Sequence, residues 1–194
     1  MPNDTPPRGR PRIAELDERI LDATRALLAE HGYLGLSMEA VAKRAGVGKQ
    51  TLYRRWPRRP LLVYQAYFGG AARTGAELPD TGTLAGDLQL ATAYQDHVFK
   101  QPGTVELISG MVADCLVEPD LMAALRENMM RPDLEVAAVI FARAVSRGEL
   151  PGDTDIHAMA EIMAGAMFAH HVLYGEDRPG FRQALATTLA KLAD

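Results

Sequence analysis

The sequence predicts an all-α fold, and three observations support that prediction. Apolar residues recur every three or four positions along most of the chain, as they do on one face of a helix. Glycine and proline divide these stretches into segments of helical length. No useful stretch alternates apolar and polar residues, as a half-buried strand would. With 194 residues and a 47% apolar composition, the chain is long enough to bury a sizeable core.

The N-terminal part of the chain divides into an arm and a first helix. Residues 1–13 are rich in proline, glycine and arginine, and this composition predicts a flexible basic arm. A helix is expected over Ala14–His31, because Leu16 and Ile20 begin an apolar stripe at helical spacing. Gly32 follows as a C-terminal stop.

Two short helices are predicted within Ser37–Arg59, which reads SMEAVAKRAGVGKQTLYRRWPRR. Ser37 is suited to cap the first helix, and Gly46 and Gly48 break the chain after it. The second helix is expected over Lys49–Trp56, where the following proline stops it. Two short helices joined by a glycine-containing turn form a helix-turn-helix, whose second helix enters the DNA major groove. We therefore predict a three-helix DNA-binding domain at residues 14–58.

The second helix separates into an inward and an outward face at about 100° per residue. Leu52 and Trp56 are expected to point inward, whereas Gln50 and Arg54 point outward. Glutamine pairs with adenine and arginine with guanine, so the outward pair suits base edges. Flanking hydroxyl and basic side chains suit phosphate oxygens, although a merely solvated charged face is the alternative. The predicted DNA-binding residues are Arg10, Arg12, Ser37, Lys49, Gln50, Thr51, Tyr53, Arg54, Arg55 and Arg59.

The basic arm has two possible uses. Arg10 and Arg12 belong to a run that resembles the Arg-Gly-Arg-Pro core of AT-hook peptides and suits a narrow minor groove. The alternative is a disordered tail that adds only counterion-release affinity.

Charge is distributed unevenly along the chain. The overall net charge is −4, which alone would argue against a nucleic-acid binder. Residues 1–60, however, carry 12 Lys and Arg against 7 Asp and Glu, and the remainder carries 9 against 18. A basic front and an acidic body are typical of a protein that touches DNA with one end.

The sequence also indicates where the protein works. No apolar run approaches the ~18–20 residues of a membrane span, and no apolar signal region begins the chain, so no membrane partner is predicted. The single Cys115 cannot form an internal disulfide, which is consistent with the reducing cytoplasm.

The run AGVGKQTLYRRWPRRPLLV resembles the DNA-binding domain of the TetR/AcrR family of transcriptional regulators. The resemblance covers roughly Ile20–Tyr67, and Gly48 replaces the serine that is usual at that position. It implies a homodimer in which a larger C-terminal helical domain binds a small-molecule effector. The matching residues are Ala45, Gly46, Val47, Thr51, Leu52, Tyr53, Trp56 and Pro57.

The C-terminal effector-binding and dimerisation domain is expected at residues 59–194. Its helices are predicted at Arg58–Arg73, Thr83–Gln101, Thr104–Val117, Asp120–Met130, Asp133–Arg147, Asp155–Leu173 and Pro179–Leu192.

The helix Asp155–Leu173 predicts a homodimer. It is apolar on two opposite sides, so one side should meet the core and the other a second copy. Two recognition helices about 34–36 Å apart would then meet successive major grooves of a palindromic operator. A monomer with one fully internal helix is the alternative. The predicted interface residues are Ala158, Gly165, Phe168, Val172, Phe181, Leu185 and Leu189.

The resemblance implies an effector pocket, and methionine and aromatic side chains suit one. At helical spacing, such residues more often form plain core. His170 and His171 are adjacent on a helix and diverge by about 100°, so we predict neither a metal site nor a cofactor. The candidate pocket residues are Tyr94, His97, Phe99, Met111, Cys115, Phe141, Met163, Met167 and His170.

The sequence therefore predicts a ligand-responsive, DNA-binding transcriptional repressor that works as a homodimer. No nucleophile elbow, phosphate loop or zinc-binding helix supports an enzyme. A DNA-binding dimer without an effector, or an activator, remains open.

Overall fold

A computed structural model describes residues 10–69, 78–175 and 178–191 of the chain. Within these residues there are ten α-helices and no strand, which confirms the all-α prediction. The described residues form two compact units, 10–69 with 110–117 and the remainder. The helices are α1 Arg10–His31, α2 Met38–Ala45, α3 Lys49–Arg55, α4 Arg59–Tyr67, α5 Leu84–Phe99, α6 Thr104–Leu116, α7 Pro119–Leu125, α8 Arg131–Ser146, α9 Ile156–Phe168 and α10 Phe181–Lys191.

The first helix begins four residues before the predicted start at Ala14. Pro11 does not prevent this, because the first turn of a helix leaves its backbone N–H groups unbonded in any case. Residues 10–13 are therefore helical and not part of an extended arm. The rest of the predicted arm lies outside the described residues.

The core of the first unit forms where α1 packs against α2 and α4. Ile20, Val41, Leu52 and Leu62 are completely buried there. Two arginines of α1 also hold the ends of these helices. Arg19 donates to the last carbonyl of α2, and Arg25 donates to the Ala66 carbonyl in the last turn of α4, each at 2.8 Å.

The last seven residues of α6 belong to the first unit, which is therefore larger than the predicted domain of residues 14–58. Gly110 explains how closely this part of α6 approaches Tyr33. A Cβ built on Gly110 would lie 2.5 Å from Cδ1 of Tyr33, so only glycine fits against that ring. One turn further along α6, Asp114 accepts a 2.7 Å hydrogen bond from the Tyr33 hydroxyl.

The second unit is a helical bundle of α5, α8, α9 and α10 around one apolar core. Side chains that accept hydrogen bonds from the first amide groups fix the start of two helices: Thr83 caps α5 and Asp155 caps α9. The side chains that fill the core are Leu84, Leu88, Ala91, Ala138, Ile140, Phe141, Ala144, Leu150, Met159, Ala160, Met163, Ala186 and Leu189.

The break predicted before Asp133 is absent, because a π-helical turn at Arg126–Met130 joins α7 to α8. Arg131 donates its amide to the Arg126 carbonyl, five residues back. Pro132 would otherwise clash with the carbonyl four residues before it, and the wider π turn relieves that clash. A second π turn, Ala169–Tyr174, continues α9.

Candidate nucleic-acid interface

The predicted helix-turn-helix is present in the first unit. The Ser37 hydroxyl accepts a 3.1 Å hydrogen bond from the Ala40 amide and caps α2, as expected. Gly46 ends α2 with a φ of +64°, a left-handed conformation that favours glycine. Gly48 then precedes α3 in an extended conformation and supplies no side-chain cap.

The orientation of α3 agrees with the predicted inward and outward faces. Leu52 is completely buried and Trp56 nearly so, and the indole Nε1 donates to Gln65 Oε1 at 2.8 Å. Gln50 and Arg54 are exposed on the opposite side. Neither side chain forms a hydrogen bond or ion pair with another residue in the described part of the chain, so both are available to a ligand.

An acidic residue that the sequence analysis missed lies beside the predicted phosphate-binding residues. Glu39 Oε1 lies 3.3 Å from Lys49 Nζ and 3.5 Å from the Tyr53 hydroxyl. A backbone hydrogen bond and the Lys49 ammonium lower the pKa of Glu39. Glu39 and Lys49 are ten positions apart on different helices, so no sequence periodicity could have indicated this contact.

Two of the predicted DNA-binding arginines are already engaged inside the first unit. Arg55 pairs with Asp17, and its side chain is only 18% exposed. Arg59 donates to Asp114 at 2.6 Å, and its guanidinium lies over the Tyr33 ring at 4.4 Å. These two side chains hold helices together in the described chain, and their assignment to DNA stays a prediction.

The remaining predicted DNA-binding residues are placed only in part. Thr51 is half-buried on the flank of α3, and Ser37 is exposed although its hydroxyl caps α2. Arg10 and Arg12 have helical backbone, which corrects their expected place in an extended arm. Their side chains lie outside the described residues.

The nine candidate effector-binding residues are divided between the two units. Phe141 and Met163 lie in the second-unit core, Met167 is completely buried, and Met111 and Cys115 are buried in the first unit. These five side chains are buried inside their units, and their assignment to an effector stays a prediction. Of the others, Tyr94 and His97 are exposed and Phe99 stacks on His171. His170 lines a cleft of the second unit, beside Phe181.

This cleft has a volume of about 400 Å³ and lies between α5 and the start of α10 in the second unit. The His170 ring stacks on Phe181 with centroids 3.8 Å apart and forms its apolar wall. Asp96 is its acidic member, and Arg182 Nε lies 3.5 Å from the Asp96 carboxylate. Asp96 and Arg182 were not among the predicted residues, because their approach depends on how α5 and α10 pack.

The predicted dimer residues have mixed surroundings. Leu189 is buried in the core of its own unit, and the half-buried Leu185 packs against that core. Their assignment to a dimer interface stays a prediction. Gly165 is exposed, with nothing within 4 Å of a built Cβ. Three further apolar side chains, which were not predicted as interface residues, are exposed on α9 and on the π turn that continues it: Ile162, Leu173 and Tyr174. The half-buried members are Ala158, Phe168, Val172 and Phe181.

No helix in the described residues is both long and apolar enough to cross a membrane. No three His, Cys, Asp or Glu side chains in that part of the chain come together as metal ligands.

Comparisons with known proteins agree with this architecture. The family model for bacterial regulatory proteins of the tetR family matches residues 20–59. The model for the tetracyclin repressor-like C-terminal domain matches residues 78–193. A crystal structure of a TetR family transcription regulator superposes with a TM-score of 0.77 at 28% identity, over 91% of this chain and 97% of that one.

Two curated relatives are similar over most of their length. The HTH-type transcriptional regulator AqdR of Rhodococcus erythropolis is 32% identical, over 92% of this chain and 84% of its own. The DNA-binding transcriptional repressor TetR of Mycobacteroides abscessus is 32% identical, over 87% of this chain and 85% of its own. The chain therefore belongs to the TetR family of bacterial regulatory proteins, which are DNA-binding transcriptional regulators and not enzymes.

Proposed function

We propose that this regulator is a homodimeric repressor that binds a palindromic operator and is released by a small-molecule effector. The observation that carries the proposal is the arrangement of α3. Leu52 and Trp56 fix the helix on the core, and Gln50 and Arg54 extend away from it without partners among the described residues. As a DNA-binding regulator, it is expected to act in the cytoplasm.

Gln50 and Arg54 are the proposed base-reading residues. The Gln50 amide can pair with the edge of adenine, and the Arg54 guanidinium can pair with guanine through two parallel hydrogen bonds. Lys49, Thr51 and Tyr53 supply an ammonium group and two hydroxyls for the neighbouring phosphates, and Ser37 a third hydroxyl. The phosphate contacts position α3, and the two base contacts select the sequence.

The proposed dimer uses the side of α9 that the chain's own core leaves uncovered. Ile162 is 50% exposed there, and Gly165 leaves room for close approach of a second helix. Met159 and Met163 occupy the other side of α9, which faces the core. A two-fold dimer would present two copies of α3 to successive major grooves, and therefore favours a palindrome.

The proposed effector site is the cleft lined by His170 and Phe181. It offers a stacked aromatic wall beside charged groups, and its volume of about 400 Å³ suits a small molecule. Release would be a population shift, in which the effector favours a dimer geometry that cannot reach both grooves. The name of the Mycobacteroides abscessus relative favours repression over activation.

The first experiment is selection of bound sequences from a random duplex pool at near-physiological salt. We expect a palindrome to be enriched. Arg54→Ala should then cost about 1–3 kcal/mol on that palindrome and relax preference at one base pair of each half-site. Arg131→Ala is the matched control, because Arg131 is an exposed arginine of the second unit.

Tyr53→Phe gives the contrasting result, because a lost phosphate contact should weaken all duplexes about equally. If Arg54→Ala leaves both affinity and preference unchanged, the assignment of the reading face is wrong.

A DNA-binding dimer without an effector is the second candidate, and it is favoured if no small molecule changes operator affinity. A reporter gene behind the selected palindrome separates repression from activation.

A further inference from the structure

An acidic side chain lies within the otherwise basic surface around α3. Glu39 is the second residue of α2, and its side chain is 53% exposed. Its Oε1 atom lies 3.3 Å from Lys49 Nζ and 3.5 Å from the Tyr53 hydroxyl. Its lowered pKa means that the carboxylate is charged at neutral pH.

A carboxylate at this place weakens contact with any DNA. It repels approaching phosphates, and like charges opposed across an interface are costly. It also neutralises Lys49, which removes one cation from the phosphate contacts that release counterions. A charge that opposes all binding is useful where it opposes wrong partners more than the right one.

The contacts of Glu39 are selective within the proposed interface. Lys49 and Tyr53 are suited to phosphates, and both lie beside Glu39. Gln50 and Arg54 are suited to base edges, and neither has a partner among the described residues. Glu39 therefore restrains the sequence-independent contacts and leaves the sequence-dependent contacts free.

We infer that Glu39 is a specificity-determining residue, which withholds Lys49 and Tyr53 from the phosphates of non-operator DNA. This inference rests on the proposed use of α3 as the recognition helix. Its effect is to widen the difference in affinity between the operator and other duplexes.

The difference arises because the two kinds of complex are held by different contacts. On non-operator DNA, binding depends on phosphates alone, so the complex keeps the Glu39–Lys49 pair and lacks the Lys49 contact. On the operator, Gln50 and Arg54 hold α3 in the groove, and Lys49 and Tyr53 move from Glu39 to phosphates. Separating this exposed ion pair has a small cost, which the base contacts offset on the operator and which has no such compensation on non-operator DNA.

The test compares the full-length variant Glu39→Gln with Glu18→Gln. Glu18 is an exposed residue of α1, 65% exposed at its side chain, so the control makes the same change in charge within the same unit. Fluorescence anisotropy would measure affinity for the selected operator and for a shuffled duplex of equal length over a series of salt concentrations. Thermal unfolding of each variant would show that it is folded.

We expect Glu39→Gln to bind the shuffled duplex about three- to tenfold more tightly and the operator by a smaller factor. The salt dependence on the shuffled duplex should steepen by about 0.9 in log–log slope, the contribution of one added phosphate contact. The ratio of operator to shuffled affinity should therefore fall, and Glu18→Gln should leave this ratio unchanged.

Three results would overturn the inference. Weaker operator binding with unchanged shuffled binding would make Glu39 a support for Lys49 and Tyr53. Equal effects of Glu39→Gln and Glu18→Gln would reduce its role to long-range charge. Loss of preference at one base pair would make Glu39 a reader of cytosine. The shuffled-duplex measurement needs no operator, so its failure is distinguishable from failure of the proposed function, which Arg54→Ala tests.

Discussion

At the scale of single residues, Asp114 joins two side chains that come from distant parts of the first unit. Its carboxylate accepts hydrogen bonds from the Tyr33 hydroxyl at 2.7 Å and from Arg59 Nη2 at 2.6 Å. Burial alone would raise the pKa of Asp114, but the two hydrogen bonds outweigh burial and lower it. Burial and the hydrogen bond to Asp114 raise the pKa of Tyr33, so its hydroxyl remains protonated as the donor.

These contacts predict that Asp114 stabilises the fold in a pH-dependent way. A carboxyl group whose pKa is lower in the folded chain contributes stability above its unfolded value of about 3.9, and loses it as pH falls further. Asp114→Asn should therefore lower the free energy of unfolding by about 1–2 kcal/mol at neutral pH. The difference from the parent should shrink in acid.

Urea unfolding at neutral pH and at successively lower pH values would measure both effects. Asp153→Asn is the control, since Asp153 lies exposed in a turn before α9. A deficit in Asp114→Asn that stays constant down to low pH would contradict a role for the charged carboxylate.

Single residues also show where sequence reasoning ends. Leu52 and Trp56 could be assigned to the core, because their spacing on one helix determines which way they face. Arg55 and Arg59 could not be assigned, because their partners Asp17 and Asp114 lie far away in the sequence. A basic side chain near a recognition helix has the same sequence pattern whether it meets a phosphate or a carboxylate.

At the scale of the helix, α3 is short and begins without a side-chain cap. Gly48 occupies the capping position in an extended conformation that any residue adopts, and a built Cβ there comes no closer than 4.0 Å to another atom. Gly48→Ser should therefore supply the missing acceptor and raise the free energy of unfolding by a few tenths of a kcal/mol, roughly the difference between glycine and serine caps.

Gly46→Ala provides the opposite comparison within the same turn. At a φ of +64°, a Cβ costs about 1–2 kcal/mol, so this variant should unfold at a lower temperature. Thermal unfolding of both variants beside the parent would measure the two shifts. A destabilised Gly48→Ser variant would show that the start of α3 does not accept a serine cap.

The helices themselves were largely predictable, and the exceptions have local causes. Ser37 and Gly46 marked the limits of α2, and the limits of α5 were predicted within two positions. Pro132 misled the prediction, because proline can either start a new helix or be accommodated by a π turn. The approach of α6 to Tyr33 at Gly110 depends on tertiary packing, which helical periodicity does not encode.

At the scale of the whole molecule, the proposed function requires two copies of α3 on one duplex. The uneven charge of the chain supports an orientation with its basic front toward DNA.

The candidate effector site was the least predictable part of the molecule, because a cleft forms where helices fail to fill space. Of nine candidates, His170 lines it. Methionines at helical spacing filled cores.

The proposed dimer predicts the effect of one exposed side chain on α9. Ile162→Glu places a charge on the uncovered side of the helix, where burial against a second copy would be strongly unfavourable. Because Ile162 is 50% exposed in the single chain, the monomer itself should remain folded. Sedimentation equilibrium should show a dimer for the parent and a monomer for this variant.

The same variant links assembly to DNA binding. A monomer carries one α3, so its affinity for the full palindrome should fall to that for a single half-site, whereas the parent gains from two linked contacts. Leu116→Glu is the matched control, because Leu116 is 69% exposed on α6 and belongs to the first unit. An Ile162→Glu protein that stays dimeric and still prefers the palindrome would place the dimer interface elsewhere on the chain.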